Sequence, residues 1–321
     1  MTMTTRKAYI IGYGMTPFGE YYEKTGSELA AKALTDALSH SKINRKDIQT
    51  IYFGSMVLAA DQSSLGHHCS AECGISSSFT HIQGGNASGA AAFHQAYLAI
   101  QSGLYDCIAV IGVDKLSDYI KNGMVEKLLA QTIDYTWEYE MGATLTSLYA
   151  LLTKAHMKEF GTTIEQLAQV PVKNHKNGSN NPKAQFRREI KKERFLKAKR
   201  IADPIGRYDP ATYGDGSAAL ILASEDFVNS YSNDLEIKIP VLASTNGSDR
   251  LALHHRDTLT SMNATKLAAK LAYSKANIEP KDIQIAEVHD AYPIGEILAI
   301  EDLGFFEKGQ GGKATEEGLT E

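Results

Sequence analysis

The chain has 321 residues, 43% of them hydrophobic and 22% charged, and a formal net charge of -5. This is the make-up of a globular protein with one large domain or two mid-sized ones. It excludes the strongly basic surface by which nucleic acid or an anionic membrane would be held.

In chain order, Ala8 to Ile11 reads as a strand and Ser27 to Ser39 as a helix with Leu29, Ala33, Leu34 and Leu38 on one face. Ile51 to Phe53 and Thr80 to Ile82 read as strands, and Ala87 to Gln101 as a helix of small residues. Cys107 to Val113 is an almost unbroken apolar run, the signature of a strand buried on both faces. An excursion over about 115–204 holds the only tryptophan, Trp137, a helical pattern from Leu145 to Phe160, and a basic stretch from Arg187 to Arg200. Ala218 to Ala223 is then a strand that rejoins the first half. Strands alternating with helices predict a mostly parallel α/β sheet.

An internal echo runs across this pattern. Leu29-Ala30-Ala31-Lys32 leads into Lys46-Asp47-Ile48-Gln49, and Leu267-Ala268-Ala269-Lys270 leads into Lys281-Asp282-Ile283-Gln284. Each is a helix, a polar turn and a predicted strand, so the chain reads as two copies of one α/β half. The second copy is the shorter, by a helix and at least two strands, which leaves a sheet edge in need of cover.

Cys69, Cys73 and Cys107 are too few for a disulfide framework and predict a reducing, cytoplasmic setting. The first apolar run, Tyr9-Ile10-Ile11, is too short for a secretory signal, and no run reaches membrane-spanning length. Gly318-Leu319-Thr320-Glu321 is not a peroxisomal address. His67, His68, Cys69 and Cys73 lie close together but match no zinc spacing and are expected in a structural loop; His254-His255 is expected in a surface loop; no metal site is predicted. Gly84-Gly85 lacks the third glycine and acidic partner of a dinucleotide site.

Several segments, taken together, resemble the thiolase superfamily, especially the sterol-carrier-protein-2 type and the archaeal acetyl-CoA acetyltransferases. They are Gly84-Gly85-Asn86-Ala87-Ser88-Gly89; Lys173 to Asn177 followed by Asn181 to Arg187; Ala202-Asp203-Pro204; Asp215 to Ala219; and Glu287 to Tyr292 running into Glu301 to Phe305. They stand in the family's order along nearly the whole chain. The resemblance implies a thiolase fold: an α/β protein of two duplicated halves in αβαβα layers, here with the second half incomplete. The expected organisation is an N-terminal half over 1–114 plus 205–230, a CoA-facing insertion over 115–204, and a truncated C-terminal half over 236–321.

The resemblance also implies a site. The family reads Cys-Ala-Ser-Gly where this chain reads Asn86-Ala87-Ser88-Gly89. A thiolase needs a thiolate there, made available by a helix N-terminus, and an asparagine cannot supply it. Asn86 reads either as an N-cap or as an amide imitating the acyl-enzyme carbonyl. His289-Asp290-Ala291-Tyr292 matches the family's His-Asp-Ala-Phe, whose histidine helps hold the thioester oxygen that becomes an enolate. Tyr292 adds a hydroxyl, either a proton donor or acceptor or a hydrogen-bonded core residue. The family's Gly-His-Pro and Cys-x-Gly segments are expected beyond Glu321. Arg187, Arg188 and Lys191 are the candidate contacts to the CoA phosphates, against the alternative of a solvated helical face. No tightly bound cofactor is expected, with a coenzyme A thioester as substrate. The implied function is acyl-CoA processing by an acetyltransferase-family protein impaired in ordinary thiolase chemistry. The alternatives are a retro-aldolase acting on a branched β-hydroxyacyl-CoA with a small OB-fold (DUF35-type) partner, and a non-catalytic subunit or degenerate gene product. A homodimer is expected.

Overall fold

A computed structural model describes residues 6–57, 64–120, 124–231 and 235–321. In chain order its elements are β1 (Ala8–Met15), α1 (Gly26–Ser41), β2 (Thr50–Gly54), α2 (Leu65–Cys73), β3 (Ser78–Ile82), α3 (Ser88–Gln101), β4 (Cys107–Asp114), α4 (Ser117–Ile120) and α5 (Val125–Leu129). There follow α6 (Leu145–Phe160), α7 (Ile164–Ser179), α8 (Lys192–Leu196), β5 (Arg200–Ala202), β6 (Ile205–Gly206), β7 (Gly216–Ser224), α9 (Glu225–Ser230) and β8 (Ile239–Val241). The last are α10 (Asn263–Ala276), α11 (Pro293–Asp302) and α12 (Gly311–Glu316). They form two compact units, residues 1–125 with 213–244, and residues 126–212 with 245–321. Among the described residues, no helix is long and apolar enough to cross a membrane.

The first unit is a six-stranded sheet in the order β3-β2-β4-β7-β1-β8. Its pairing is mixed, which corrects the expectation of a mostly parallel sheet. β2 runs parallel to β3 and β4, while β4–β7, β7–β1 and β1–β8 are antiparallel. A helix crossover imposes the parallel direction only where it directly joins neighbours, as α2 joins β2 to β3. β7 instead returns from the long excursion and inserts between β4 and β1, opposed to both.

α1 begins at a reciprocal cap: Thr25 Oγ1 accepts the Glu28 N–H at 3.2 Å, and the Glu28 carboxylate accepts the Thr25 N–H at 2.7 Å. Its buried face, Leu29, Ala30, Ala33, Leu34, Ala37 and Leu38, joins a core with Ile11, Ile111 and Ile221. The approach to β1 is close enough that a Cβ at Gly14 would lie 2.1 Å from the Ala33 carbonyl oxygen. Ala92, Ala96, Tyr97 and Ile100 of α3 pack with Ile108, Val110 and Leu222 of the sheet in a second core.

The second unit is helical, apart from the β5–β6 hairpin. α6 and α7 each open on a capping box, Thr144 with Ser147 and Thr163 with Gln166. Their apolar residues Ala150, Leu167 and Val170 meet Tyr292, Ile294, Ile297 and Leu298 in one core. The echo reaches this unit as a helix, α10, and a 3₁₀ turn at Pro280–Asp282, but the expected strand after it does not form. No described strand lies beside that segment to complete a ladder.

Candidate functional site

In the first unit the chemistry gathers where β2 ends and α3 begins. A Cβ at Gly54 would stand 2.4 Å from the Ser88 carbonyl oxygen, so only glycine lets the strand end and the helix start lie this close. Two successive turns lead in, with the Ala87 N–H on the Gly84 carbonyl and the Ser88 N–H on the Gly85 carbonyl, both at 3.1 Å. Ser88 ties them together: its hydroxyl donates to the Gly85 carbonyl at 2.6 Å and accepts the Gly84 N–H at 2.9 Å.

Asn86 is exposed and does not cap α3, contrary to one reading of the sequence. The capping position falls to Ala87, with no side-chain cap bond, because the turns place the helix start one residue later. At the C-terminal end of β4 the Asp114 carboxylate accepts the N–H groups of Val57 at 2.9 Å and Met56 at 3.1 Å and the Ser55 hydroxyl at 2.9 Å. Burial pushes its pKa up against the pull of those donors.

The three thiols lie elsewhere. Cys69 and Cys73 are buried on α2, which forms a helix where a loop was expected; His67, on the same helix, sets its ring edge-on to Phe79 at 4.8 Å. Cys107 is buried at the start of β4. Burial pushes all three thiols up, Cys73 to about 11 and the others further. His254 and His255 are exposed on a 3₁₀ turn, their rings 4.1 Å apart.

In the second unit two of the sequence segments meet. Lys173 and Asn174 project from α7 toward Asp290 and toward Glu296 of α11. Lys173 Nζ donates to Glu296 Oε1 at 2.5 Å, and both residues are buried, 8% and 3% exposed. Asn174 Nδ2 donates to Asp290 Oδ2 at 2.5 Å and reaches Glu296 Oε2 at 3.2 Å. His289 is exposed, and its carbonyl lies against the start of α11, where a Cβ at Gly295 would be 3.2 Å away. Tyr292 is buried; its hydroxyl is 2.8 Å from Thr146 Oγ1 and its ring stacks on Tyr149 at 4.2 Å. Burial holds both phenols above their ordinary range. Lys173, Glu296, Thr146 and Tyr149 were not singled out individually from sequence, since polar residues spaced along amphipathic helices read as solvated positions.

Arg187, Arg188 and Lys191 are exposed on irregular chain, not on a helical face; Asn181-Pro182 and the turn at Asn181–Ala184 break the helix before them. His175 Nδ1 anchors that chain by donating to the Arg188 carbonyl at 3.1 Å. Further on, Arg194, Lys197, Lys199 and Arg207 line a cavity of about 460 Å³ with Tyr208 and one acid, Glu193. The Arg194 guanidinium lies 4.6 Å from the Tyr208 ring centroid and donates to its hydroxyl at 3.2 Å, which pulls the phenol pKa down.

Residues 8–226 match the thiolase N-terminal domain, and residues 245–321 match the thiolase C-terminal domain-like model. The chain is 36% identical over 318 residues to the acetyl-CoA acetyltransferase of Methanothermobacter thermautotrophicus, across 98% of this chain and 82% of that protein. It is 28% identical over 336 residues to sterol carrier protein 2 of Homo sapiens, across 98% of this chain and 59% of that protein. Among solved structures it resembles an Ltp2-ChsH2(DUF35) aldolase, with TM-score 0.82 and 23% identity over 97% of this chain and 80% of that one. It also resembles the Bacillus anthracis acetyl-CoA acetyltransferase, with TM-score 0.76 and 15% identity over 97% of this chain and 87% of that one. At those identities the two structures speak for the fold.

Proposed function

The chain belongs to the thiolase family, and on that premise we propose that it binds acyl-CoA thioesters without forming an acyl-enzyme. The observation that carries this is Asn86, the residue in the place of the family's nucleophile. Acyl transfer by a thiolase opens with a thiolate attacking the thioester carbonyl, forming a new enzyme thioester and expelling the CoA thiol. A side-chain amide has no ionisable thiol to do this. Cys69, Cys73 and Cys107 are buried, with thiols pushed away from the reactive thiolate, and offer no replacement.

His289 is the group we assign to the thioester oxygen, with Asp290, Asn174, Glu296 and Lys173 fixing the backbone that carries it. The exposed cations between Arg187 and Arg207 are assigned to the CoA phosphates. Arg194, Lys197, Lys199 and Arg207 make the better-formed receptor, because they converge on one cavity. A homodimer through β3 is supported by that strand's place at the sheet edge.

A second reading is favoured by Tyr292 and by the likeness to the aldolase complex. Retro-aldol cleavage of a β-hydroxyacyl-CoA needs no acyl-enzyme. A base takes the hydroxyl proton, the Cα–Cβ bond breaks, and its electrons pass to the thioester as an enolate that is reprotonated at Cα. A phenol is protonated at neutral pH and carries a proton that could serve that last delivery. On this reading a small OB-fold protein is the partner.

The test is intact-protein mass spectrometry after incubation with acetyl-CoA or acetoacetyl-CoA, alongside calorimetry with CoA. The expected result is CoA binding with no covalent mass gain. A stable acetyl shift mapped to the peptide containing Asn86 overturns the proposal.

A further inference from the structure

Arg256 stands in the chain just ahead of α10, half-buried, as a cation without an acid. Its Nε–H donates to the Arg250 carbonyl at 3.1 Å, and an Nη1–H points to the Met262 sulfur at 3.5 Å, a weak acceptor. Among the described residues it has no other acceptor, so most of the guanidinium fork is left over. The acids of the neighbouring segments are engaged elsewhere. Asp257 lies 3.8 Å from Arg250, and Asp249 accepts the Arg250 and Asn263 N–H groups. Asp302 takes Lys308 at 2.7 Å together with the Ser261 hydroxyl and the Met262 N–H, and Glu138 accepts the N–H groups of Leu253 and Asp134. A charge drawn partly out of water without a counter-ion is unfavourable unless a ligand supplies one.

Arg256 adjoins the core that holds Tyr292. Met262, which it touches, packs there with Leu145, Tyr149 and Ala291. The charge also reaches Tyr149: burial raises that phenol, and Arg256 pulls it the other way. The Tyr149 ring stacks on Tyr292, but the two hydroxyls differ. That of Tyr292 is bonded to Thr146, whereas that of Tyr149 has no hydrogen-bond partner among the described residues. A spare guanidinium fork and a spare phenol O–H therefore adjoin one apolar cluster, close along the chain to His289. Both are donors, and the partner that a planar fork fits best is a carboxylate or a phosphate. The apolar surroundings favour the first, because an acyl chain can lie along Leu145, Met262 and Ala291, while the exposed cations around Arg194 and Arg207 suit hydrated phosphates.

We propose that Arg256 and Tyr149 form a subsite for a carboxylate on the acyl group, so that the thioester this chain takes is that of a dicarboxylic acid. The inference rests on the thioester-binding reading above and adds the acyl class to it. The guanidinium meets the carboxylate as a charge-assisted fork, and the Tyr149 O–H donates to one of its oxygens. An uncharged acyl group of the same length leaves both donors unanswered.

The experiment is calorimetry on the full chain with CoA, butyryl-CoA and succinyl-CoA, the two thioesters having acyl groups of equal length. The native chain is expected to bind succinyl-CoA about tenfold or more tightly than butyryl-CoA. Arg256→Met removes that preference, Tyr149→Phe narrows it, and Arg256→Lys, which keeps the charge without the fork, retains part of it. Thermal unfolding of each variant is followed in parallel, and Arg256→Lys carries the test should Arg256→Met not fold. A preference that survives in folded Arg256→Met overturns the inference. If that variant loses affinity for CoA itself as it does for succinyl-CoA, the guanidinium holds a phosphate and the inference is overturned as well. A native chain that binds CoA and both thioesters alike overturns it while thioester binding stands. A native chain that binds none of them overturns both.

Discussion

Asn174 and Asp290 meet at 2.5 Å, amide nitrogen to carboxylate oxygen, although 116 positions separate them in the sequence. The same amide touches Glu296, and Glu296 also holds Lys173. α7 thereby holds Asp290, which lies between His289 and Tyr292, and Glu296 in the first turns of α11.

The clamp predicts an asymmetric response to mutation. Lys173→Met leaves the buried Glu296 carboxylate without its cation, and removing one member of a buried pair costs about 3–5 kcal/mol. Replacing both, as Lys173→Met with Glu296→Leu, removes the stranded charge and is expected to cost far less. Urea unfolding of the three proteins measures this. A double variant as unstable as the single one means that packing, not the charge pair, holds the junction.

Thiol reactivity is the second prediction. Under native conditions near pH 7.5, iodoacetamide is expected to leave Cys69, Cys73 and Cys107 unmodified, because burial both shields the sulfurs and disfavours their thiolates. Asn86→Cys should take up one equivalent, since position 86 is exposed just ahead of the 14-residue helix α3. Peptide mapping reads both. Alkylation at Cys73 in the folded native chain counts against the reading that only position 86 can host a nucleophile.

Position 86 also shows how far the sequence carried the site. The asparagine there, where the resemblance implies a cysteine, is visible in one letter. The turn geometry that moves the cap to Ala87 is not, because it depends on Gly85 at φ +57° and on the contacts of Ser88. α1 and α6 were legible from their helical period and β4 from its unbroken apolar run, and α6 runs from Leu145 to Phe160 as its pattern predicts. α7 was not read from the sequence: Thr163 and Gln166 stand at capping-box spacing, but Pro171 within the segment argues against a helix by composition alone. The direction of β7 was hidden for a different reason: strand direction is set by the path of the chain between strands, and a long excursion leaves no local trace of it.

The third prediction concerns the CoA phosphates. Lys197→Ala with Arg207→Ala should weaken CoA binding by about 1–3 kcal/mol if these cations make charge-assisted phosphate contacts. Arg187→Ala with Arg188→Ala should weaken it less, since those side chains stand apart from the cavity lining. Calorimetry on both pairs ranks them. The reverse order would move the phosphate contacts to the irregular chain before α8.

Glu301 gives a prediction with a definite sign in pH. It is buried, 3.2 Å from His156 Nε2, and accepts the Gly311 N–H at 2.8 Å, with Lys308 at 3.5 Å. Burial alone would raise its pKa, but His156, Gly311 and Gly309 together bring it below the ordinary glutamate value of 4.5. A carboxyl depressed in the fold stabilises above its unfolded pKa, and that contribution is lost as pH falls through the folded value. The gap in thermal midpoint between the native chain and Glu301→Gln should therefore be widest near neutrality and close below about pH 4. A gap that widens on acidification contradicts the assignment.

The last prediction separates a structural phenol from a reacting one. Tyr292 is buried on Tyr149, with its hydroxyl on Thr146, so Tyr292→Phe removes one hydrogen bond and leaves Thr146 Oγ1 to find another partner. A bond of this kind is worth about 0.5–1.5 kcal/mol net. Tyr292→Phe with Thr146→Val, which removes both polar groups, should be close to neutral for stability. If Tyr292 only fills the core, that double-mutant comparison is the whole of its effect, and any turnover of a β-hydroxyacyl-CoA by the native chain survives in Tyr292→Phe. If instead Tyr292 delivers the proton to the enolate, turnover falls by about 10²–10⁴ in Tyr292→Phe, with the stability change limited to the loss of that one bond. Thr146→Val sharpens the distinction, because it keeps the phenol and removes only the group that holds it. A proton donor freed of that bond should lose activity through orientation and shift its pH profile. A core phenol should lose nothing but stability. Equal turnover in all four proteins, at a rate well above background, removes Tyr292 from the chemistry and leaves His289 as the group to change next.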